Sequence, residues 1–308
     1  MPSARQTLEQ RLSAFEVRSP TIADVGAVTA VIRAAEEAAH GEAEMVDDEI
    51  SEAWARPTMD LASDVVLVLD GGTVVAVAET YRGRGDGYVH PSHRGRGIGT
   101  ALVEWWTSRA GEHGYAIAGQ TVSDDDTGAL ALLRGLGCTE GHTSWILDYP
   151  LTGARPDPPR PPLGIDLRLL EPGEERALFH LIDDAFSEWP DREASIYEDW
   201  AASTVDAPAW EPWRGVVAAD GRELVGAAIL RRYPGEGWVE QIAVAQAYRG
   251  RGIGRALLQH AFGVFWGQEP SVGLSTDSRT GALDLYLHVG MRVRRTYRRL
   301  RRPTGIGA

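Results

Sequence analysis

The chain has 308 residues, 43% of them hydrophobic and 24% charged, with a formal net charge of −13 at pH 7 and one cysteine, Cys138. That length exceeds what one core usually organises and fits two domains of about 150 residues each. A lone thiol excludes intramolecular disulfides and thiolate metal clusters, no apolar run reaches the roughly 18 residues of a membrane helix, and the acidic balance argues against nucleic acid as the main partner.

Met1 to Phe15 is a polar lead without the apolar core of a secretory signal, which sets the expectation of a cytoplasmic protein. Phe15 to Arg18 reads as a first strand. Thr21 with Asp24 opens a helix whose apolar face is Val25, Val28, Ile32 and Ala35, running to about Ala39 before Gly41; the acidic stretch Glu42 to Glu52 leads into a shorter helix near Trp54, stopped by Pro57. Val65 to Leu69 and Thr73 to Thr80 are β-branched runs joined by Asp70-Gly71-Gly72, an antiparallel hairpin. Arg82 to Gly87, rich in glycine and arginine, reads as a loop before the short strand Tyr88-Val89. After a helix ending near His113-Gly114, Tyr115 to Val122 is a strand, Asp124-Asp125-Asp126 caps a helix Thr127 to Leu136, and Ser144 to Tyr149 is expected to close the sheet.

Five prolines between Pro156 and Pro162 exclude helix and sheet interior and predict a semi-rigid spacer. From Ile165 the plan repeats. A strand (Ile165 to Leu170), a helix (Glu174 to Phe186) and an acidic aromatic region with Trp189, Tyr197 and Trp200 precede a hairpin, Val216 to Ala219 and Glu223 to Leu230, turning at Asp220-Gly221. Trp238 to Val244 is the next strand, then come helix Ile253 to Trp266, strand Ser271 to Ser275, helix Thr280 to His288 and a last strand Met291 to Leu300. The same order in both halves indicates a duplication, with domains expected at 1–150 and 164–308 and the linker at 151–163.

Two stretches spell nearly the same thing: His93-Arg94-Gly95-Arg96-Gly97-Ile98-Gly99, then Thr100, and Tyr248-Arg249-Gly250-Arg251-Gly252-Ile253-Gly254, then Arg255. Each joins a strand end (Tyr88-Val89; Ile242-Ala243-Val244) to a helix N-terminus. Glycines there let the chain turn tightly and point successive N–H groups at one anion, so a pyrophosphate is the expected guest. The spacing is not that of a P-loop.

Arg-x-x-Gly-x-Gly in both copies resembles the acetyl-CoA signature of the GNAT acetyltransferase superfamily. The resemblance implies tandem domains, each a mixed, mostly antiparallel sheet flanked by helices (α/β, α+β), with acetyl-CoA as cofactor. It further implies cofactor contacts from both turns and from the strand ends before them, and no metal.

The halves differ where such chemistry needs help. Aligned on the turns without a gap, Glu240 corresponds to Gly85, and the pattern Ala-x-x-Leu-Tyr-x-x-x-Gly is intact only around Tyr286, with Leu133 in the tyrosine's place in the first half. An acceptor amine, with a pKa of about 10 by analogy with lysine, must lose a proton before attacking a thioester; a carboxylate at Glu240 can accept it, through water given an ordinary Glu pKa of about 4.3. The departing thiolate can be met by the phenol of Tyr286; full proton transfer from an ordinary phenol to an ordinary thiol is uphill by roughly 2 kcal/mol. The resemblance places a backbone N–H of Ile242 to Val244 on the thioester oxygen.

His90 and His93 flank Pro91 without a third ligand nearby, and the Asp124–Asp126 run is explained by a helix N-terminus. The seven arginines of Met291 to Arg302 alternate with apolar residues as in a half-exposed strand. The expectation is an N-acetyltransferase acting on a primary amine of a small molecule, cationic before it loses its proton, with chemistry in the second half and a degenerate first half. The alternatives are a non-catalytic acyl-CoA sensor or assembly protein, and a protein lysine acetyltransferase.

Overall fold

The computed structural model describes residues 3–188 and 194–306; Trp189 lies outside them. The chain forms two compact units, one built from residues up to Thr143 together with those from Tyr297 onward, the other from Ser144–Thr296.

The first unit contains α1 (Ala4–Arg11), β1 (Glu16–Arg18), α2 (Val25–His40), α3 (Asp47–Trp54), α4 (Leu61–Asp64), β2 (Val65–Asp70), β3 (Thr73–Tyr81), β4 (Arg84–Val89), α5 (Ile98–Glu112), β5 (Ile117–Ser123), α6 (Thr127–Gly135) and the start of β6 (Thr139–Pro150). The second contains the rest of β6, then β7 (Ile165–Leu169), α7 (Glu175–Phe186), α8 (Tyr197–Ser203), β8 (Gly215–Asp220), β9 (Glu223–Tyr233), β10 (Glu236–Val244), α9 (Ile253–Phe265), β11 (Ser271–Asp277), α10 (Leu283–His288) and the start of β12 (Arg292–Pro303). No helix among the described residues is long and apolar enough to cross a membrane.

Both sheets are buried on two faces, which is why their central strands read as unbroken apolar runs. In the first unit Val66, Val68, Ala76 and Ala78 face Leu102 and Trp106 of α5, while Val65, Leu67 and Val77 face Val28 and Ile32 of α2 and Trp54 of α3. In the second, Val216, Ala218 and Leu230 pack on Leu257 and Phe262 of α9, while Val217, Ala227 and Ile229 pack on Leu178 of α7 and Trp200 of α8.

The pairing scheme is the same in both. Strands β1 to β4 and β7 to β10 are antiparallel neighbours, and β4 and β10 then meet β5 and β11 in parallel. The closing strands are where the fold departs from expectation. Residues Ser144–Pro150 of β6 pair antiparallel with β11, and Tyr297–Pro303 of β12 pair with β5. Each half of the sequence therefore closes the other half's sheet, and the chain passes between units inside β6 and β12 rather than at the proline segment. Leu151, at the start of that segment, is buried and donates its N–H to Pro270 O within the second unit.

Two smaller departures have local causes. Arg84 to Gly87 is strand, not loop: a Cβ on Gly85 would lie 2.4 Å from the Trp106 ring, so glycine is there to let α5 close on the sheet. The polar lead contains α1, opened by a reciprocal Ser3–Gln6 capping box and held by buried Ala4 and Leu8. The arginine-rich last strand is neutralised within each unit, Arg294 by Glu236 and Arg298 by Asp124, both through paired hydrogen bonds.

Candidate active site

Both glycine-rich turns have the same build. Gly95 and Gly97 (φ +76° and +81°) precede α5, and Gly250 and Gly252 (φ +73° and +93°) precede α9, all in the left-handed region that favours glycine. A Cβ at any of the four would meet nothing within 4 Å, so the amide-lined face of each turn is open, as an anion cradle at a helix N-terminus must be. Gly254 packs against the α10 side, where a Cβ would come 3.2 Å from Leu285. Arg249 is clamped by both carboxylate oxygens of Glu188 (2.7 and 2.9 Å) and donates to Val244 O; Arg94 lies 3.6 Å from Asp126, and Arg96 pairs with Asp70. Arg251 covers the Tyr248 ring, and Arg255 is exposed.

The strand beside each turn splays from its parallel neighbour. In the second unit the pairing of β10 with β11 runs from Gly237↔Val272 to Val239↔Leu274, while pairing with β9 continues to Val244↔Gly226. Glu240, Gln241, Ile242, Ala243 and Val244 thus follow the last parallel pair and face an opening edge. In the first unit β4 and β5 share Arg84↔Gly119, and the Gln120 side chain donates to Gly87 O across the gap.

Glu240 is the extra residue of a β-bulge: Val239 pairs with Leu230 and Gln241 with Ile229, leaving Glu240 between them. The first unit has no such bulge, since Gly85 pairs with Thr80 and Asp86 with Glu79. Both hairpins carry the same irregularity one strand earlier, at Val75 and Val225, which fixes the equivalence: Gly85 matches Val239, Asp86 matches Gln241, and Glu240 has no counterpart. The gapless alignment of Glu240 with Gly85 is corrected accordingly. Glu240 is exposed, so its carboxylate meets water directly. Its neighbour Gln241 accepts a hydrogen bond from the Trp200 indole at 3.0 Å.

Tyr286, on α10, is 5% exposed within the core beneath α9. Burial pushes its phenol up to about 12, partly offset by a hydrogen bond from Thr276. Thr276 in turn shares a hydrogen bond with Thr280.

The first unit has an open-sided cavity of about 550 Å³ that joins Tyr88, Val89, Arg94, Gly95, Gly97, Ile98, Gly99 and Thr100, all expected at the site, to Trp106, Gln120, Leu132 and Leu133, which were not. A periodic reading places Trp106 on the buried face of α5 without revealing that a ligand-sized space lies beside it. Asp126 caps α6 by accepting from Ala129 N, as expected, and also lines this cavity.

In each unit of this tandem αβ fold a phosphate-type turn stands beside a splayed strand. The model of the acetyltransferase (GNAT) family matches residues 28–138 and 176–291. A mycothiol acetyltransferase of Salinispora tropica is 31% identical over 216 residues, covering 66% of this chain and 67% of that protein. Among solved structures, a GCN5-related N-acetyltransferase from Sphaerobacter thermophilus superposes with a TM-score of 0.75 at 31% identity, covering 94% of this chain and 96% of that one. A tandem GNAT protein of the clavulanic acid biosynthesis pathway shares the fold (TM-score 0.71, 17% identity, 96% and 100% covered). The chain belongs to the GNAT acetyltransferase family. It is an N-acetyltransferase of the tandem type.

Proposed function

We propose that the protein transfers the acetyl group of acetyl-CoA to a primary amine on a small molecule, with the chemistry in the second unit. The observation that carries this reading is the coincidence, in that unit alone, of an exposed carboxylate on a bulge at the strand opening and a buried phenol behind the same turn. Likeness to a mycothiol acetyltransferase supports a small-molecule acceptor.

The open turn at Gly250 and Gly252, the dipole of α9 and the arginines around them fit a pyrophosphate, and the first turn fits one equally. Bound acetyl-CoA supplies an activated acyl group whose carbonyl carbon accepts the amine. Glu240, exposed to solvent, serves as a relay: the ammonium proton passes through water to it and on to solvent. Backbone N–H groups of the Ile242 to Val244 stretch steady the thioester carbonyl oxygen in this reading. The Tyr286 hydroxyl stays protonated and donates a hydrogen bond to the departing sulfur.

The test is amine-dependent release of CoA from acetyl-CoA over aminoglycosides, cysteinyl glycosides, peptide antibiotics, polyamines and lysine peptides, in wild type and Tyr286→Phe. Turnover with a small-molecule amine that falls in the variant is the expected result. Turnover confined to lysine peptides, or undiminished in the variant, overturns the acceptor class or the role of Tyr286 respectively.

A further inference from the structure

The first unit keeps the turn, the splay and a cavity while lacking both the bulged carboxylate and the phenol. We propose that this unit binds acyl-CoA with a preference for an acyl chain longer than acetyl. The proposal rests on the reading that its glycine-rich turn holds a CoA pyrophosphate.

Two features support it. The cavity of about 550 Å³ has the volume of a small-molecule site and reaches from the turn to Trp106, eight residues into α5, which is about 12 Å along the helix axis. Its inner wall is apolar, formed by Leu102, Val103, Trp106, Leu132 and Leu133. Leu133 stands where the second unit has Tyr286; a branched aliphatic end replaces a ring whose hydroxyl needs a partner, so the wall here offers methyl groups to a chain of methylenes.

The same residues make this a holding site. No residue occupies the place of Glu240, Leu133 carries no proton to give, and the Gln120 amide already bridges to Gly87 O where the strands part. Each methylene moved from water into an apolar wall is worth about fourfold in affinity, so the two that distinguish butyryl from acetyl give about 15-fold.

The experiment is calorimetric titration of the full chain carrying Gly250→Asp with acetyl-, propionyl- and butyryl-CoA. Gly250 is left-handed with open space around it, and aspartate is among the residues that tolerate that region, so the change sets a carboxylate in the second turn and leaves the first to be read alone. The expected result is one equivalent bound, tightening about fourfold per methylene, with the gradient abolished by adding Leu133→Tyr. Equal affinity along the series overturns the chain-length preference, and this holds whether or not the Leu133→Tyr protein folds. A gradient unchanged by a folded Leu133→Tyr protein removes Leu133 from the argument. If Gly250→Asp binds none of the three while Gly95→Asp still binds one equivalent, the first turn does not hold CoA and the underlying reading fails as well.

Discussion

Leu300 gives the sharpest test of how the units are closed. It lies in the part of β12 that pairs with β5, opposite Gln120, and is completely buried in the first unit's core with Trp106 and Ala118. Replacing a buried leucine by alanine costs about 2–5 kcal/mol, a large share of the 5–15 kcal/mol that typically holds a domain. At tenfold per 1.4 kcal/mol, amides that exchange through unfolding of that unit should exchange roughly 30- to several-thousand-fold faster. Peptide-resolved hydrogen exchange on Leu300→Ala should show this in β2, β3, β5 and α5, with β8, β9, β11 and α9 less affected. Leu147→Ala is the reciprocal control: Leu147 is also fully buried, opposite Leu274 in the second unit, and its loss should loosen the second set. If Leu300→Ala instead loosens β8, β9, β11 and α9 and spares β2, β3 and β5, the strands close their own halves and the exchange described above is wrong.

Further outcomes follow for Glu240, Tyr286 and Gly85. Glu240→Gln should lower turnover about 10- to 100-fold near neutrality, with the defect shrinking toward pH 10 as the acceptor amine loses its proton unaided; a pH-independent defect would point to a positional role. Tyr286, its phenol raised to about 12, stays protonated well past the ordinary value of about 10, so wild type should show no loss of rate belonging to Tyr286 between pH 8.5 and 10.5. Full proton transfer from such a phenol to a thiolate would be uphill by roughly 5 kcal/mol, so Tyr286→Phe should remove a hydrogen bond of about 1.5–3 kcal/mol, a 10- to 150-fold fall in kcat with little change in acetyl-CoA affinity. The same shift makes folding stability decline as pH rises from 10 toward 12, where the unfolded phenol ionises and the folded one does not, and Tyr286→Phe should flatten that decline in urea titrations. Gly85→Ala, with its Cβ 2.4 Å from Trp106, should destabilise the first unit by about 1–3 kcal/mol in the same assay.

Much of the architecture is written locally and was legible. Apolar runs joined by short glycine turns marked the hairpins Val65–Asp70 with Thr73–Tyr81 and Gly215–Asp220 with Glu223–Tyr233, and caps such as Gly41 and Asp126 marked helix ends. What resisted reading depends on partners distant in sequence. Gly85 and Gly87 look like loop until Trp106 and Leu102 are known to lie upon them. Ser144–Pro150 and Tyr297–Pro303 each announce a strand, yet nothing in an amphipathic pattern names which sheet it will join. The turns were visible as a repeat, and Glu240 and Tyr286 as positions where the repeats differ. The cavity was not, because it is the space left between α5, α6 and β4 once all three have packed.

The bulge at Glu240 bears on how the two units could have come to differ. Since Gly85 matches Val239 and faces Trp106, no single substitution along β4 would recreate the carboxylate: a glutamate at position 85 would be driven into the α5 indole. Reinstating it takes an inserted codon, one that kinks the strand and leaves the pairs on either side in register, and erasing it from β10 takes a deleted one. Divergence of the duplicated halves at this position is thus an event of chain length, which substitution at a single position does not reproduce.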